Sequence, residues 1–428
     1  MRRFGKFLIT YSGLIAIFVG VLVLACSFPS STIKENVRNS SVTLNEEGNR
    51  KLCFIFNKLQ FQEFDNFSDA LMINTAYSID SKTPLYAAFT AKKDYIPGTT
   101  TTIKEDVVGE LKSSSNYFSH NEVGELKDTV NGYGDESFEY AKYWHGYLSL
   151  LRPLLVVFDY QQIRVLFTFV FAILAIYSTT LLSEKKNNVI ATFYLLSLVF
   201  VEYFYIGLSL INSITFLITM IASCVLISKF GKIKDWGFFF FVIGMFVGFL
   251  TLLDTPLLTV GLPLILYFIF KNGDGKDNLK ETIKFLLFWG VGYFLTWMAK
   301  WVLMDLIYHR SLIQTAIGQI LYRSSGGESS PILAICINLL SMALPIMLTL
   351  LIMMYFFTRY SKNMTKETRK KARIYVILGI LPFLWYIVFS NHSANHFFFA
   401  YRLLLMSMFG NLLWIYYICG EPGKRDEK

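Results

Sequence analysis

Apolar residues fill ten long stretches of this chain, Phe7–Phe28 and then about 165–182, 189–206, 211–228, 237–253, 256–270, 285–304, 332–357, 374–390 and 397–418. An α-helix needs roughly 20 apolar residues to cross the ~30 Å hydrocarbon layer. The pattern therefore predicts an all-α polytopic membrane protein with about ten transmembrane helices. One large region, 29–147, is polar and rich in Asn, Ser and Thr, with too few apolar runs for a big core of its own. It reads as a large extracytoplasmic first loop packed on the membrane face. Helices are expected over Glu46–Phe61 and Asn66–Ile79, with turns at the TTTTIKED run and at Gly132 and Gly134.

The stretch Trp144–Arg164 interrupts the pattern, placing His145, Arg152, Asp159 and Arg164 in an otherwise apolar run. At the bilayer centre each such group would cost ~2.5–3.5 kcal/mol. Leu148, Leu151, Leu155 and Phe158 recur at helical steps, and Arg152 and Asp159 lie seven apart. The spacing predicts an interfacial amphipathic helix over 148–164 that offers polar groups to a cavity above the membrane. The expected organisation is a first transmembrane helix (1–28), the loop domain (29–147), the interfacial helix (148–164), a multi-span domain (165–418) and a tail (419–428).

Charge fixes the expected orientation. The connections assigned inside carry, in order, three Lys or Arg at the N-terminus, two in 183–188, three in 229–235, four in 271–284, seven in 358–373 and three at the C-terminus. The opposite connections at 207–210, 254–255 and 391–396 carry none. This alternation is the positive-inside pattern and predicts a multi-pass plasma-membrane protein with both termini cytoplasmic. It also accounts for the net charge of +9 without nucleic acid as a partner. A cleaved signal peptide, with VLAC and Cys26 as a lipoprotein box, is the alternative to an uncleaved first helix. The five cysteines have no zinc or disulfide spacing.

On this topology the unusual ionisable residues gather on the outer side. They are Glu63, Asp65 and Asp69; His145, Arg152, Asp159 and Arg164; Asp254; Lys300, Asp305, His309 and Arg310; and Asn391, His392, His396 and Arg402, with Glu202 near the outer end of its span. Each has a plain reading: Asp65 and Asp69 as helix N-terminal acids, Arg152 and Arg402 as snorkelling anchors, the histidines as interfacial hydrogen-bonding groups. His392 and His396, four apart, would also suit a metal pair, although no HExxH accompanies them. Their concentration on one side is what asks for a function. Sugar transfer from a polyprenyl-phosphate donor suits it: the leaving phosphate needs cations, for which arginine has a fitting fork of donors, and the acceptor hydroxyl needs a carboxylate base.

The order of a first span, a large outer loop opening with an acidic motif, a surface helix and many further spans resembles the GT-C superfamily of membrane glycosyltransferases. SDALM at 68–72 is similar to the Thr/Ser-Asp-x-x-Met pattern of some bacterial members, and YWHGYLSLLRPLL and NHSANHFFFAYR are similar to Gram-positive envelope members. The resemblance implies an inverting transfer on the outer face, from a polyprenyl-phosphate-linked sugar to an envelope glycan, teichoic acid or protein acceptor, in contact with membrane lipids. Asp69 or Asp65 would be the base, with Asp69 favoured. Arg152 and Arg402 would hold phosphate, and His145, Asp159, Arg164, Asp254, His309, Arg310, Asn391, His392 and His396 would bind substrate. A divalent cation, Mg or Mn, is a possible cofactor in that family. The paired acids are four apart here and not adjacent as in many members. Rival readings are a flippase or transporter of lipid-linked saccharides, which would place charges at mid-membrane in matching halves, an envelope polysaccharide polymerase or ligase, and an acyltransferase using Asp305 and His309.

Overall fold

A computed structural model describes residues 2–48, 51–52, 62–63, 65–95, 121–134, 136–271, 278–324 and 329–422. The protein is an all-α multi-pass membrane protein whose loop domain carries two short β-ribbons. The chain begins with α1 (Arg2–Ser27), and the loop domain follows with α2 (Lys34–Glu47), β1 (Lys51–Leu52), β2 (Gln62–Glu63), α3 (Asn66–Tyr77), α4 (Pro84–Thr90), β3 (Lys92–Tyr95), α5 (Glu122–Val130) and β4 (Glu136–Glu139). Then come α6 (Leu148–Val157), α7 (Tyr160–Lys185), α8 (Asn188–Phe200), α9 (Leu210–Lys229), α10 (Trp236–Leu250), α11 (Leu258–Lys271) and α12 (Asn278–Tyr308). The last third holds α13 (Ile313–Arg323), α14 (Pro331–Leu340), α15 (Ala343–Tyr360), α16 (Lys366–Val388), α17 (Ser390–Asn395), α18 (Phe397–Ala400) and α19 (Leu404–Ile418).

Among the described residues, seven helical stretches are long and apolar enough to cross a membrane: α1, α7, α9, α12, α15, α16 and the run Phe397–Ile418. The other expected spans fall on shorter apolar helices. α10 has 15 residues and reaches only ~22 Å at 1.5 Å per residue. The stretch 332–357 is two helices, α14 and α15, parted at Ser341 and Met342. Small residues let α10 and α12 cross closely, because a Cβ on Gly244 would sit 2.1 Å from the Trp289 carbonyl oxygen and one on Gly292 2.1 Å from that of Phe241. In lipid, where apolar burial gives helices little reason to associate, such backbone approach is a main source of packing. The crossing fixes the C-terminal end of α10 against Tyr293 and Thr296 of α12.

Among the described residues, the apolar side chains of the loop region pack with those of the first helix. Val37, Leu44, Ile73, Leu126 and Leu151 join one apolar cluster with Phe18, Leu22 and Cys26 of α1. The segment 142–146 straps it to the spans: Trp144 Nε1 donates to the Thr296 carbonyl at 2.6 Å, Trp301 Nε1 to that of Lys142 at 3.1 Å, and the Gly146 amide to that of Phe249 at 3.1 Å. β3 pairs antiparallel with β4. Its Lys93 is wholly buried, with Glu122 and Glu125 of α5 on its ammonium, the latter at 2.6 Å. Lys93→Met would take the ammonium away from two enclosed carboxylates, a loss of about 3–5 kcal/mol. The expected outcome is a loop domain cut by protease at temperatures where the native protein resists, measured by limited proteolysis in detergent.

Three expectations differ from the structure. The helix expected over Glu46–Phe61 ends where it was to begin: α2 runs from Lys34 to Glu47, and 49–50 and 53–61 lie outside the described residues. Cys53, His120 and the TTTTIKED run also lie outside them, as does the side chain of Glu63. The single surface helix over 148–164 is two helices, because Phe158 is extended and Asp159 caps α7 in a reciprocal capping box with Gln162. α2 completes the break, with Asn36 Nδ2 donating to the Leu155 carbonyl at 2.8 Å and Ser40 accepting the Tyr160 amide at 2.9 Å. Finally, α6 offers no polar face to a cavity. Leu148, Leu151, Leu155 and Arg152 all turn inward, and its open side is Leu150, Val156 and Val157.

Candidate functional site

Two buried acids anchor two polar networks, joined along one face of α9. The first centres on Asp69, in the first turn of α3 and wholly buried. Its carboxylate accepts from Tyr160 Oη at 2.6 Å, from the Leu210 and Ile211 amides at 2.8 and 3.1 Å, and from Ser209 Oγ at 3.5 Å. Ser209, at the N-cap of α9, makes no side-chain cap bond of its own. Asp69 supplies the missing acceptor from 141 residues away. A carboxylate on a helix N-terminus is well placed against the helix dipole. Burial pushes the carboxyl of Asp69 up, while Tyr160, the two amides and Arg164 pull it back. Arg164 closes the network on Glu47 at 2.7 and 2.8 Å, Asn66 at 3.0 Å and Tyr160 Oη at 2.6 Å.

Along α9, Asn212 donates to Ser209 Oγ at 3.2 Å, and three residues further Thr215 Oγ1 donates to Asp254 Oδ1 at 2.6 Å. Asp254 lies in the turn between α10 and α11, only 1% exposed. Its neighbours Leu253 (φ 80) and Thr255 (φ 22) both lie on the positive-φ side, where a side chain is strained. Backbone strain of this kind costs of order 1–3 kcal/mol per residue and gathers at functional sites. Asp254 Oδ2 has no hydrogen-bond partner among the described residues, nor do Thr255 Oγ1, Asn212 Oδ1, Tyr293 Oη and Arg402 Nε. Native proteins rarely leave buried polar atoms unpaired. Thr255 is the chain neighbour of Asp254, and Arg402 and Tyr293 are within electrostatic reach of it.

The electrostatics agree. Burial raises the Asp254 carboxyl to about 7; Thr215 and its own backbone amide lower it, Asp65 raises it and Arg402 lowers it. Asp65, in the loop domain, accepts the Ser68 amide at 2.9 Å as the cap of α3. Arg402 lies 4.8 Å over the Tyr401 ring, and Tyr401 Oη donates to Glu202 at 2.9 Å, so the span-end acid Glu202 makes an interhelical bond. Tyr293 is within electrostatic reach of both Asp254 and Arg323. Arg323, closing α13, sets Nη1 2.9 Å from His392 Nδ1. A guanidinium only donates, so that nitrogen accepts. His392 also hydrogen-bonds the backbone of Leu253, next to Asp254. Burial and Arg323 hold His396 down at about 3 and His392 well below its usual range, so both rings are neutral.

The structure thus brings together Asp65, Asp254, Asn391, His392, His396 and Arg402 of the expected residues; Asn391 Nδ2 donates to the Tyr322 carbonyl at 2.9 Å beside Arg323. It places the others elsewhere. Asp69 and Arg164 form the buried cap network described above. Arg152, expected to hold phosphate, gives its donors to the carbonyls of Ala25, at 2.8 Å, Ala76 and Phe28, fastening α6 and α3 to the end of α1. His145 is buried between the Tyr140 carbonyl at 2.6 Å and Tyr147 Oη at 3.2 Å, and that burial pushes it well below its usual range. Asp159 caps α7. His309 and Asp305 are exposed, and Arg310 pairs with Glu139. Lys300 reaches the Tyr143 carbonyl. Tyr293, Arg323, Thr215 and Thr255 escaped notice in the sequence. A polar group on an apolar helix was the only signal for Tyr293 and Thr215, and Arg323 lies in the same connection as Asp305, His309 and Arg310, which drew the expectation instead.

Among the described residues, no three His, Cys, Asp or Glu side chains converge as metal ligands. The His392 and His396 rings are 4.7 Å apart, but a guanidinium occupies the Nδ1 side of His392. This donor set does not fit a divalent cation. The chain matches no protein-family model, no curated protein and no solved structure.

Proposed function

We propose that this protein is a membrane glycosyltransferase of the GT-C type, moving a sugar from a polyprenyl-phosphate donor to a hydroxyl of an envelope glycan, teichoic acid or protein. The observation that carries this reading is the buried Oδ2 of Asp254, without a hydrogen-bond partner among the described residues and set within reach of Arg402 on strained backbone. Its raised pKa suits a general base, which works best when it titrates near the operating pH. Asp69 suits that role less well, since four donors already engage it. Asp254 Oδ2 takes the acceptor's proton as the acceptor oxygen bonds to the anomeric carbon on the face opposite the phosphate. The bond from that carbon to the phosphate oxygen breaks, polyprenyl phosphate leaves, and the configuration inverts. Arg402 stabilises the charge gathering on the leaving phosphate. Burial keeps the Asp254 proton affinity high, and the charge of Asp65 adds to it.

Ten spans with both termini in the cytoplasm and the site outside accompany this reading. Its support is the cationic connections at 183–188, 229–235 and 358–373, opposite the turns at Asp254 and His392, which hold no Lys or Arg.

The test is transfer of radiolabelled sugar from polyprenyl-phosphate donors by purified protein in detergent, followed across pH. The rate is expected to rise as Asp254 ionises through about pH 7 and to level off above it. Binding of lipid-linked saccharide without transfer, together with its movement across a liposome bilayer, would overturn the transferase reading in favour of a flippase.

A further inference from the structure

The helix α13 is amphipathic in an unusual direction. Its inward stripe is slight, Ala316 and then Arg323, seven residues on and on the same face. Its open stripe is apolar: Ile313, Ile317, Ile320 and Leu321 are 42, 51, 40 and 61% exposed and fall at helical steps. Gln314 and Gln319 flank that stripe, so the helix is apolar on one side without being apolar all round. α13 packs against α17, and its C-terminal turn is tied to the site twice, by Arg323 on His392 and by the Tyr322 carbonyl on Asn391. A cation inside the polar site is therefore continuous, along one 11-residue helix of ~16 Å, with an apolar track outside it. That is the complement of an amphiphile with an anionic head and a long hydrocarbon tail.

We propose that α13 is the carrier-binding helix: Arg323 holds the phosphate of a membrane polyprenyl phosphate, and Ile320, Ile317 and Ile313 carry its first isoprene units. This rests on the transferase reading for its ligand class but not for its test. Two guanidinium groups then serve the site, Arg402 towards Asp254 and Arg323 towards the lipid side. The neutral His392 keeps Arg323 aimed by accepting from it.

The experiment measures binding of undecaprenyl phosphate and of the short-chain citronellyl phosphate to the whole protein in detergent, by native mass spectrometry. Ile317→Gln combined with Ile320→Gln is expected to weaken the long-chain lipid about tenfold or more and to weaken the short one as well, since the first isoprene units of both lie over these residues. Ile176→Gln, on the open face of α7, is expected to change neither. Arg323→Gln is expected to weaken both, and Arg323→Lys to restore part of the loss. Unaltered long-chain binding in the double variant, or unaltered short-chain binding in Arg323→Gln, would overturn the proposal. Binding that follows the expected pattern in a protein that transfers no sugar would end the transferase reading and leave the carrier site standing.

Discussion

Asp254→Asn is expected to lower sugar transfer by about 10²–10⁴-fold, the usual worth of a general base, while the protein folds and binds its lipid donor as before. The amide keeps the shape of the carboxylate and an oxygen for Thr215 Oγ1, now 2.6 Å from Oδ1. What it loses is the ability to take a proton. The same substitution has an opposite effect on stability, and the sign follows from burial. An unfolded aspartate titrates near ~3.9, whereas Asp254 titrates at about 7. The folded state therefore holds a proton that the unfolded state has released, and stability falls as pH rises from the lower value to the higher. The amide has no proton to lose. In melting experiments the variant should gain on the native protein between about pH 4 and 7 and keep a constant lead above that. An inactive variant that is more stable at pH 8 would mark Asp254 as a group held in place for chemistry at a cost to the fold. A variant with full transfer would remove it from the mechanism.

Asp69→Leu is expected to have the largest effect on folding. It deletes the common acceptor of Tyr160 Oη and the Leu210 and Ile211 amides, and leaves Arg164 without one of the charges that stabilise it. Removing one partner from a buried ionic network costs about 3–5 kcal/mol. The consequence reaches the site, because the N-terminus of α9 would lose its cap and α9 carries Thr215. The yield of folded protein and its melting temperature in detergent are the readouts. Asp69→Asn separates position from chemistry. It retains one acceptor oxygen for the α9 amides and should cost less stability and keep measurable transfer. Loss of transfer from a fully stable Asp69→Asn would return the base to Asp69 and displace Asp254.

The contrast between the two acids shows which parts of this protein can be read along the chain. Hydropathy is a local property, and a membrane helix must satisfy its own backbone, so apolar stretches become helices wherever they occur; α1, α7, α9, α12 and α16 lie where the pattern puts them. Caps are local too. Asp65 heads α3 as an N-terminal acid, and the Asp159-x-x-Gln162 spacing that splits the surface helix is visible in the sequence as a capping box. Partnership is not local. Asp69 and Asp254 differ little as letters beside apolar runs. One is consumed by amides and a hydroxyl that arrive from 141 and 91 positions away, while the other keeps an oxygen without a partner among the described residues. Arg152 and Arg402 were expected to do the same work. Tertiary packing gave the first three carbonyls from α1 and α3 and left the second beside a carboxylate. The sequence by itself determined where the long apolar helices fall and how Lys and Arg are shared among the connections between them. Only the tertiary structure decided which charged groups spend their hydrogen bonds on the fold and which keep an atom without a partner among the described residues, because burial and pairing depend on neighbours that no periodicity along the chain specifies.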